Sequence, residues 1–154
     1  MLKLKEGDKA PLFEGMTQDN SSNKLLDFSG KKLILFFYPK DMTPGCTAEA
    51  CNLRDHYDEL KAKGFELLGV SPDSVVRHQK FTEKYDLPFP LIADEGKEIL
   101  ITYGVWAEKK MYGRSFMGVL RTTFIIDEEG IIIKILPKVK TKDHTAQILA
   151  AMDM

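Results

Sequence analysis

Two cysteines, four arginines and three histidines are the residues of this chain with the widest chemical reach, and one cysteine falls where a helix begins. The stretch Tyr38-Pro39-Lys40-Asp41-Met42-Thr43-Pro44-Gly45-Cys46 follows the most apolar run of the sequence, Leu33-Ile34-Leu35-Phe36-Phe37. A run of that kind, bounded by Lys31-Lys32 and Pro39, predicts a strand buried on both faces. Thr43 is then a natural N-cap, and Pro44 takes the first helical position, where its missing N–H is no loss. The count puts Cys46 at the third helical position, the slot a capping box gives to a carboxylate. A thiolate there faces free backbone N–H groups and the positive end of the helix dipole. The chemistry this favours is nucleophilic attack by sulfur on a small polar ligand.

A stabilised thiolate is intrinsically a weaker nucleophile, so position alone does not make a fast enzyme. Donors must also be aimed at the substrate as its bonds change. The Thr43 hydroxyl, one turn from Cys46, can share a small ligand with the sulfur. An arginine can hold thiolate and substrate oxygen in one fork. Arg54 lies about 12 Å down the helix at 1.5 Å per residue. Arg77 belongs to a separate helix and Arg114 to an irregular stretch, whereas Arg121 sits on a late strand able to run beside the Cys46 loop. Arg121 is therefore the expected donor, although it could merely pair with a carboxylate.

Cys51 stands five residues beyond Cys46, which in an intact helix separates their Cα atoms by about 8.6 Å. A disulfide tolerates less than about 7 Å. The two can bond to each other only if the helix opens. A zinc site built from Cys46, Cys51 and His56 is disfavoured, because spacings of five on one helix point the ligands in different directions. His56, His78 and His144 read as surface or partly buried helix residues without special duty.

The elements around these groups alternate. An extended opening with a hairpin turn at residues 18–23 returns through Lys24-Leu25-Leu26. After the buried strand comes a helix over 44–63 closed by Gly64, a strand over 65–70, and a helix opened by Ser71-Pro72 that runs to Tyr85. Pro88 and Pro90 keep residues 87–92 extended. A brief helix over 95–101, a long loop over 103–117, a closing hairpin of 118–126 and 131–136, and a helix over 142–152 capped by Thr141 complete the chain. This order predicts a three-layer α/β domain with a mixed central sheet. Ligands in such sheets gather at the carboxyl ends of the strands, where the Pro39-to-Cys46 loop lies.

At 154 residues the chain suits a single domain, 1–154, with a core that needs no disulfide staples. Its formal charge of -1 favours neither nucleic acid nor a membrane surface as partner. The opening Met1-Leu2-Lys3-Leu4-Lys5-Glu6 has no apolar signal core and no run approaches a membrane span, so a cytoplasmic location is expected. Two cysteines in a reducing compartment suggest redox, catalytic or metal-binding use before structural use.

The stretch Phe37 to Thr47 resembles a peroxiredoxin, with Pro39, Thr43 and Cys46 on the family's Pro-x-x-x-Thr-x-x-Cys signature. It is most similar to the bacterioferritin-comigratory or Q group, an atypical two-cysteine class. Gly7 to Phe13, Gly104-Val105-Trp106 and Arg121 to Asp127 resemble the family's other blocks, so the likeness spans most of the chain. The resemblance implies a thioredoxin-like fold and a thiol peroxidase acting on hydrogen peroxide and organic hydroperoxides. It implies that Cys46 is the peroxidatic nucleophile, that Cys51 resolves its sulfenic acid by an intramolecular disulfide, and that thioredoxin or a similar dithiol recycles the pair. Pro39, Thr43, Gly45 and Arg121 would contact substrate, and Glu49 would steady the arginine. No metal, haem, flavin or selenium is implied, and a monomer is expected because no long apolar stripe is left over. Two other readings stand beside this one. A thioredoxin-type disulfide oxidoreductase lacks its Cys-x-x-Cys here, and a redox-switched binding protein would expose apolar surface on oxidation.

Overall fold

A computed structural model describes residues 4–154. The apolar run becomes β3 (Lys32–Phe37), the middle strand of a five-stranded sheet. On one side it pairs in parallel with β4 (Phe65–Ser71), which pairs in parallel with β5 (Leu91–Ala93). On the other it pairs antiparallel with β8 (Thr122–Ile126), which pairs antiparallel with β9 (Ile132–Leu136). The crossovers supply the parallel half and the late hairpin the antiparallel half, so the sheet is mixed as the alternation required.

Period-two alternation sends Leu33, Leu35 and Phe37 to one face and Ile34, Phe36 and Tyr38 to the other. The second face carries α1 (Pro44–Asp55), α2 (Tyr57–Ala62), α3 (Val75–Tyr85) and α5 (His144–Ala151), through Cys46, Leu53, Leu60, Phe81 and Ile148. The first face is covered by α4 (Glu98–Thr102), by Tyr103, and by the chain around Phe13 and Leu25. The opening hairpin pairs β1 (Glu14–Met16) with β2 (Ser22–Lys24). Every residue from Leu33 to Tyr38 is buried, each large side chain contributing about 1.5–3 kcal/mol by leaving water.

Several boundaries differ from the sequence reading. The helix expected over 44–63 is two helices, broken at His56, whose Nδ1 lies 2.8 Å from the Asn52 carbonyl oxygen. The ring donates to the acceptor that the next helical amide would use, and such competition ends a helix. Ser71 does not cap a helix but completes β4 opposite Ala93, its hydroxyl donating to Asp73. Ser74 caps α3 instead, accepting from the Arg77 amide. The last helix begins at His144 with Asp143 at its N-cap position, not at Thr141. The stretch 103–117 is not a long loop: β6 (Trp106–Met111) and β7 (Arg114–Val119) form a hairpin. Its turn residues Tyr112 and Gly113 have φ of 53° and 74°, the pair of positive values a two-residue turn of matching twist demands. The strand expected over 118–126 is thereby split, and Arg121 occupies the break between β7 and β8.

Gly69 lies opposite Phe36 in the β3–β4 register, and a Cβ there would stand 2.8 Å from Phe36 Cζ and 2.7 Å from Leu91 Cδ2. Both neighbours are buried and have nowhere to retreat. Gly69→Ala is expected to destabilise the fold by about 1–3 kcal/mol. Urea denaturation checks this, and an unchanged midpoint would refute the packing account.

Candidate active site

The carboxyl end of β3 runs through Pro39 into a short loop and then α1. Thr43 holds the N-cap position with extended backbone (φ -81°, ψ 153°), but its hydroxyl makes no capping bond. It donates instead to the Lys40 carbonyl at 2.7 Å, closing the loop on itself. The first helical bond runs from Thr47 N–H to the Thr43 carbonyl at 2.9 Å. The amides of Gly45 and Cys46 precede it and have no helical acceptor, as the first turn of any helix requires. Cys46 therefore sits among unpaired donors, with only 2% of its surface exposed.

Arg121 reaches this turn from the break before β8. Its Nη2 donates to Cys46 Sγ at 3.3 Å and its Nη1 to Glu49 Oε1 at 2.8 Å. Cys46 and Glu49 lie three residues apart on the buried face of α1, so one guanidinium can span both. Burial opposes the charge of Arg121, but Cys46 and Glu49 outweigh it and push its pKa up. Gly45 makes room for the approach: a Cβ there would be 3.1 Å from Arg121 Nη2.

Behind the arginine, Glu49 is fully buried. Burial drives its pKa up to about 7, against the pull of Arg121. Among the described residues its Oε2 accepts no hydrogen bond, and His144 Nε2 stands 3.6 Å from it. His144 is buried as well, and burial lowers its pKa to about 4, the Gln147 bond opposing and Arg121 assisting. The neutral ring donates from Nδ1 to Gln147 Oε1 at 2.9 Å and accepts at Nε2 from the Thr123 hydroxyl at 2.8 Å. Lys109 of β6 borders the same site. Its pKa is lowered by burial and by Arg121, with Cys46 acting the other way.

Cys51 lies on the same unbroken helix, half-buried, and both cysteines are free thiols. Burial pushes the Cys51 thiol up, Arg54 and Asp55 acting in opposite senses. The neighbouring Asn52 ties α1 to the start of α5, accepting from Thr145 N–H at 2.8 Å and donating to the Lys142 carbonyl at 3.2 Å.

Cys46, Glu49, Gly45 and Arg121 thus meet at one point; Thr43 stands at the N-cap just before it, Pro39 lies earlier in the same loop, and Cys51 stands further along the helix. Arg54 and Arg77 are engaged elsewhere, Arg54 with Asp55 and the Tyr85 carbonyl, and Arg77 with Asp73. His144 and His78, expected to be surface or partly buried helix residues without special duty, are fully buried and hydrogen-bonded. The available signal was periodicity, since His78 shares a helical stripe with Phe81 and Tyr85. Lys109 carried no such signal. A separate cavity of about 170 Å³, lined by residues including Leu25, Leu33 and Ile126, opens on the opposite face of the sheet from Cys46.

Residues 6–135 match the AhpC/TSA family. The chain is a peroxiredoxin of that family. Peroxiredoxin Bcp of Bacillus subtilis is 44% identical over 151 residues, covering 98% of this chain and 96% of that protein. A structure of Xanthomonas campestris peroxiredoxin Q superimposes with a TM-score of 0.85 at 35% identity, covering 92% of this chain and 89% of that one. A structure of the bacterioferritin comigratory protein of X. campestris, described for its alkyl peroxide reduction activity, gives a TM-score of 0.87 at 33% identity, with 95% and 98% covered. The peroxiredoxin is thus of the Bcp or Q kind, a thiol-dependent peroxidase and oxidoreductase with a thioredoxin-like fold.

The buried carboxyl of Glu49 makes stability depend on pH. Its folded pKa of about 7 exceeds the ordinary 4.5, so the folded state binds the proton more tightly. That contribution is complete below pH 4.5 and is lost as pH rises through 7. His144, lowered from 6.5 to about 4, runs the other way: its contribution is present above pH 6.5 and is lost as pH falls through 4. The two slopes oppose each other in the unaltered protein. Glu49→Gln removes one of them, so its stability relative to wild type should climb between pH 4.5 and 7 by up to roughly 3 kcal/mol, then level off. Denaturant titrations across that range measure the difference, and a constant difference would mean an ordinary carboxyl.

Proposed function

We propose that Cys46 is the peroxidatic nucleophile of a two-cysteine peroxidase cycle that is completed by Cys51. The observation that carries this reading is the Arg121 Nη2 donor 3.3 Å from a sulfur seated in the first turn of α1. The thiolate attacks the terminal oxygen of a hydroperoxide, forming an S–O bond as the O–O bond breaks. Sulfur is oxidised to a sulfenic acid, the peroxide is reduced, and the departing alkoxide or hydroxide takes a proton to leave as alcohol or water. Arg121 and the Gly45 and Cys46 amides face the oxygens on which charge develops. Thr43 and Pro39 wall the approach, and Glu49 holds the guanidinium in its fork.

The Cys51 thiol then attacks the sulfenic sulfur, a disulfide forms and water leaves. A dithiol reductant of thioredoxin type opens it by exchange through a mixed disulfide, restoring both thiols. Hydrogen peroxide and organic hydroperoxides are both substrates in this reading, the latter supported by the X. campestris relative described for alkyl peroxide reduction. The cycle needs no metal or prosthetic group and runs in a cytoplasmic monomer.

Cys46→Ser should abolish the rapid oxidation by peroxide seen as a change in Trp106 fluorescence on stopped-flow mixing. Cys51→Ser should keep the first oxidation within about threefold of wild type and accumulate a species heavier by one oxygen, reactive toward sulfenic-acid traps. Rapid reaction with disulfides and sluggish reaction with peroxide would point instead to a thioredoxin-type oxidoreductase.

Resolution demands that α1 open, since residues five apart in a helix are about 8.6 Å apart at Cα. The Asn52 bonds to α5 set a limit to the opening. Amides from Thr47 to Arg54 should lose hydrogen-exchange protection on oxidation while Leu60 keeps its own. Equal protection in reduced and oxidised protein would defeat the unwinding.

A further inference from the structure

The loop that ends at Thr43 is built around a second buried constellation, which the peroxide chemistry does not touch. Asp41 and His78 are both fully buried, with Asp41 Oδ2 2.6 Å from His78 Nδ1. Asp41 Oδ1 accepts from the Tyr38 hydroxyl at 2.6 Å. Burial and the adjacent carboxylate hold that phenol well above its usual pKa, so it is the donor. His78 Nε2 lies 3.0 Å from the Ile92 carbonyl, which can only accept, so this nitrogen carries a proton. The contact between Nδ1 and Oδ2 then holds one further proton shared by the pair.

The backbone of Asp41 is held as firmly. Its N–H donates to Asp73 Oδ2 at 2.8 Å, and its carbonyl accepts from Arg77 Nη2 at 3.2 Å. Asp73 is itself fixed by the Ser71 hydroxyl at 2.7 Å and by Arg77 Nε at 2.9 Å. Both oxygens of the side chain and both polar groups of the backbone are thus tied to the chain just past β3 and β4 and to α3, with His78 carrying the link on to β5. Donor atoms of Asp41, Asp73 and His78 lie within 4.8 Å of one another. The protein's own hydrogen bonds occupy them, so the cluster is not read as a cation site.

Immediately after this anchor the chain turns sharply. Met42 has φ of 69°, a left-handed conformation that is costly for a residue with a side chain. Thr43 then folds its hydroxyl back on Lys40 and opens the helix that bears Cys46. Such a turn persists only where its surroundings over-determine it, and Asp41 is where they do.

The geometry points to Asp41 and His78 as positioning residues for the peroxide reaction: their buried pair fixes the loop and thereby aims Thr43 and the first-turn amides at the substrate. This rests on the peroxidase role proposed for Cys46. The same constellation is expected to leave intrinsic thiol reactivity alone, because it touches neither the sulfur nor Arg121.

The test compares two reactions of Cys46 in wild type, Asp41→Ala, Asp41→Asn and Tyr38→Phe. Oxidation by hydrogen peroxide needs aimed donors, whereas alkylation by iodoacetamide needs only an accessible thiolate. Asp41→Ala should slow peroxide oxidation about 10- to 100-fold, the scale of a misplacement near 1 Å, with alkylation within about threefold. Asp41→Asn can donate to His78 Nδ1 and still accept from Tyr38, so it should return the peroxide rate to within about threefold of wild type. Tyr38→Phe removes one anchor and keeps the ring, and should slow peroxide oxidation by about three- to tenfold.

A folded Asp41→Ala that reacts normally with peroxide overturns the proposal, and so does one that loses both reactions equally. An Asp41→Asn as slow as the alanine variant also overturns it. If Asp41→Ala does not fold, the other two variants decide, and a Tyr38→Phe with the wild-type peroxide rate refutes the inference. A wild-type protein that alkylates readily but ignores peroxide sinks the peroxidase reading, and this one with it.

Discussion

One guanidinium facing two acidic groups is the constraint around which the rest of this structure is arranged. Arg121 donates to Cys46 Sγ and to Glu49 Oε1 at the same time, half-buried against the first turns of α1. Charges out of water are tolerated when each is paired, and removing one member leaves the others exposed to the full cost of burial. The cation comes from a different element than the two groups it serves, Arg121 preceding β8 while Cys46 and Glu49 belong to α1. The antiparallel entry of β8 beside β3 supplies it. The break between β7 and β8 frees Arg121 from the ladder, and Gly45 keeps the path to the sulfur clear.

The sheet explains why these pieces coincide. β3 ends at the loop carrying Thr43, while β8 starts alongside that end because the two run in opposite directions. A strand parallel to β3 at that position would have delivered its first residue to the far edge, a sheet length away. The register Phe37 to Thr122 puts Arg121 next to the place where β3 gives way to the loop that leads to Cys46. Topology here does what no local motif can: it fixes the distance between residues 75 positions apart.

That division also marks what was legible in the sequence. The buried strand, the proline after the cap and the third-position cysteine are local, and the structure keeps all three. Arg121 could be selected because arginine is scarce and its rivals fell on elements pointing elsewhere. Thr43 was legible as a cap by position, but its hydroxyl serves the loop and not the helix, a choice set by the turn at Met42. The β6–β7 hairpin was not legible: much of it is exposed, from Lys110 to Met117 without a break, so its strands show no alternation between apolar and polar positions. His144 and His78 were misread for the opposite reason. Their partners come from distant segments, and a histidine on an apolar stripe looks the same in sequence whether or not a carboxylate waits across the core.

The carboxylate at the centre of the site also bears on how α1 could open. Glu49 is held in the folded helix with one oxygen unpartnered and a pKa raised by burial from 4.5 to about 7. Above pH 7 that confinement costs roughly 3 kcal/mol, at about 1.4 kcal/mol per unit. If the first turns of α1 unwind to bring Cys46 toward Cys51, Glu49 leaves the pocket with them and regains water. The cost of exposing Cys46 and Ala50 is then offset in part by relief at the carboxylate between them. Oxidation of Cys46 in the proposed cycle would point the same way, because a sulfenic acid carries no charge for the Arg121 guanidinium to hold. On the proposed cycle, the contacts that hold Cys46 would therefore be weakened by its own oxidation, and the helix would open most easily once the peroxide had been spent.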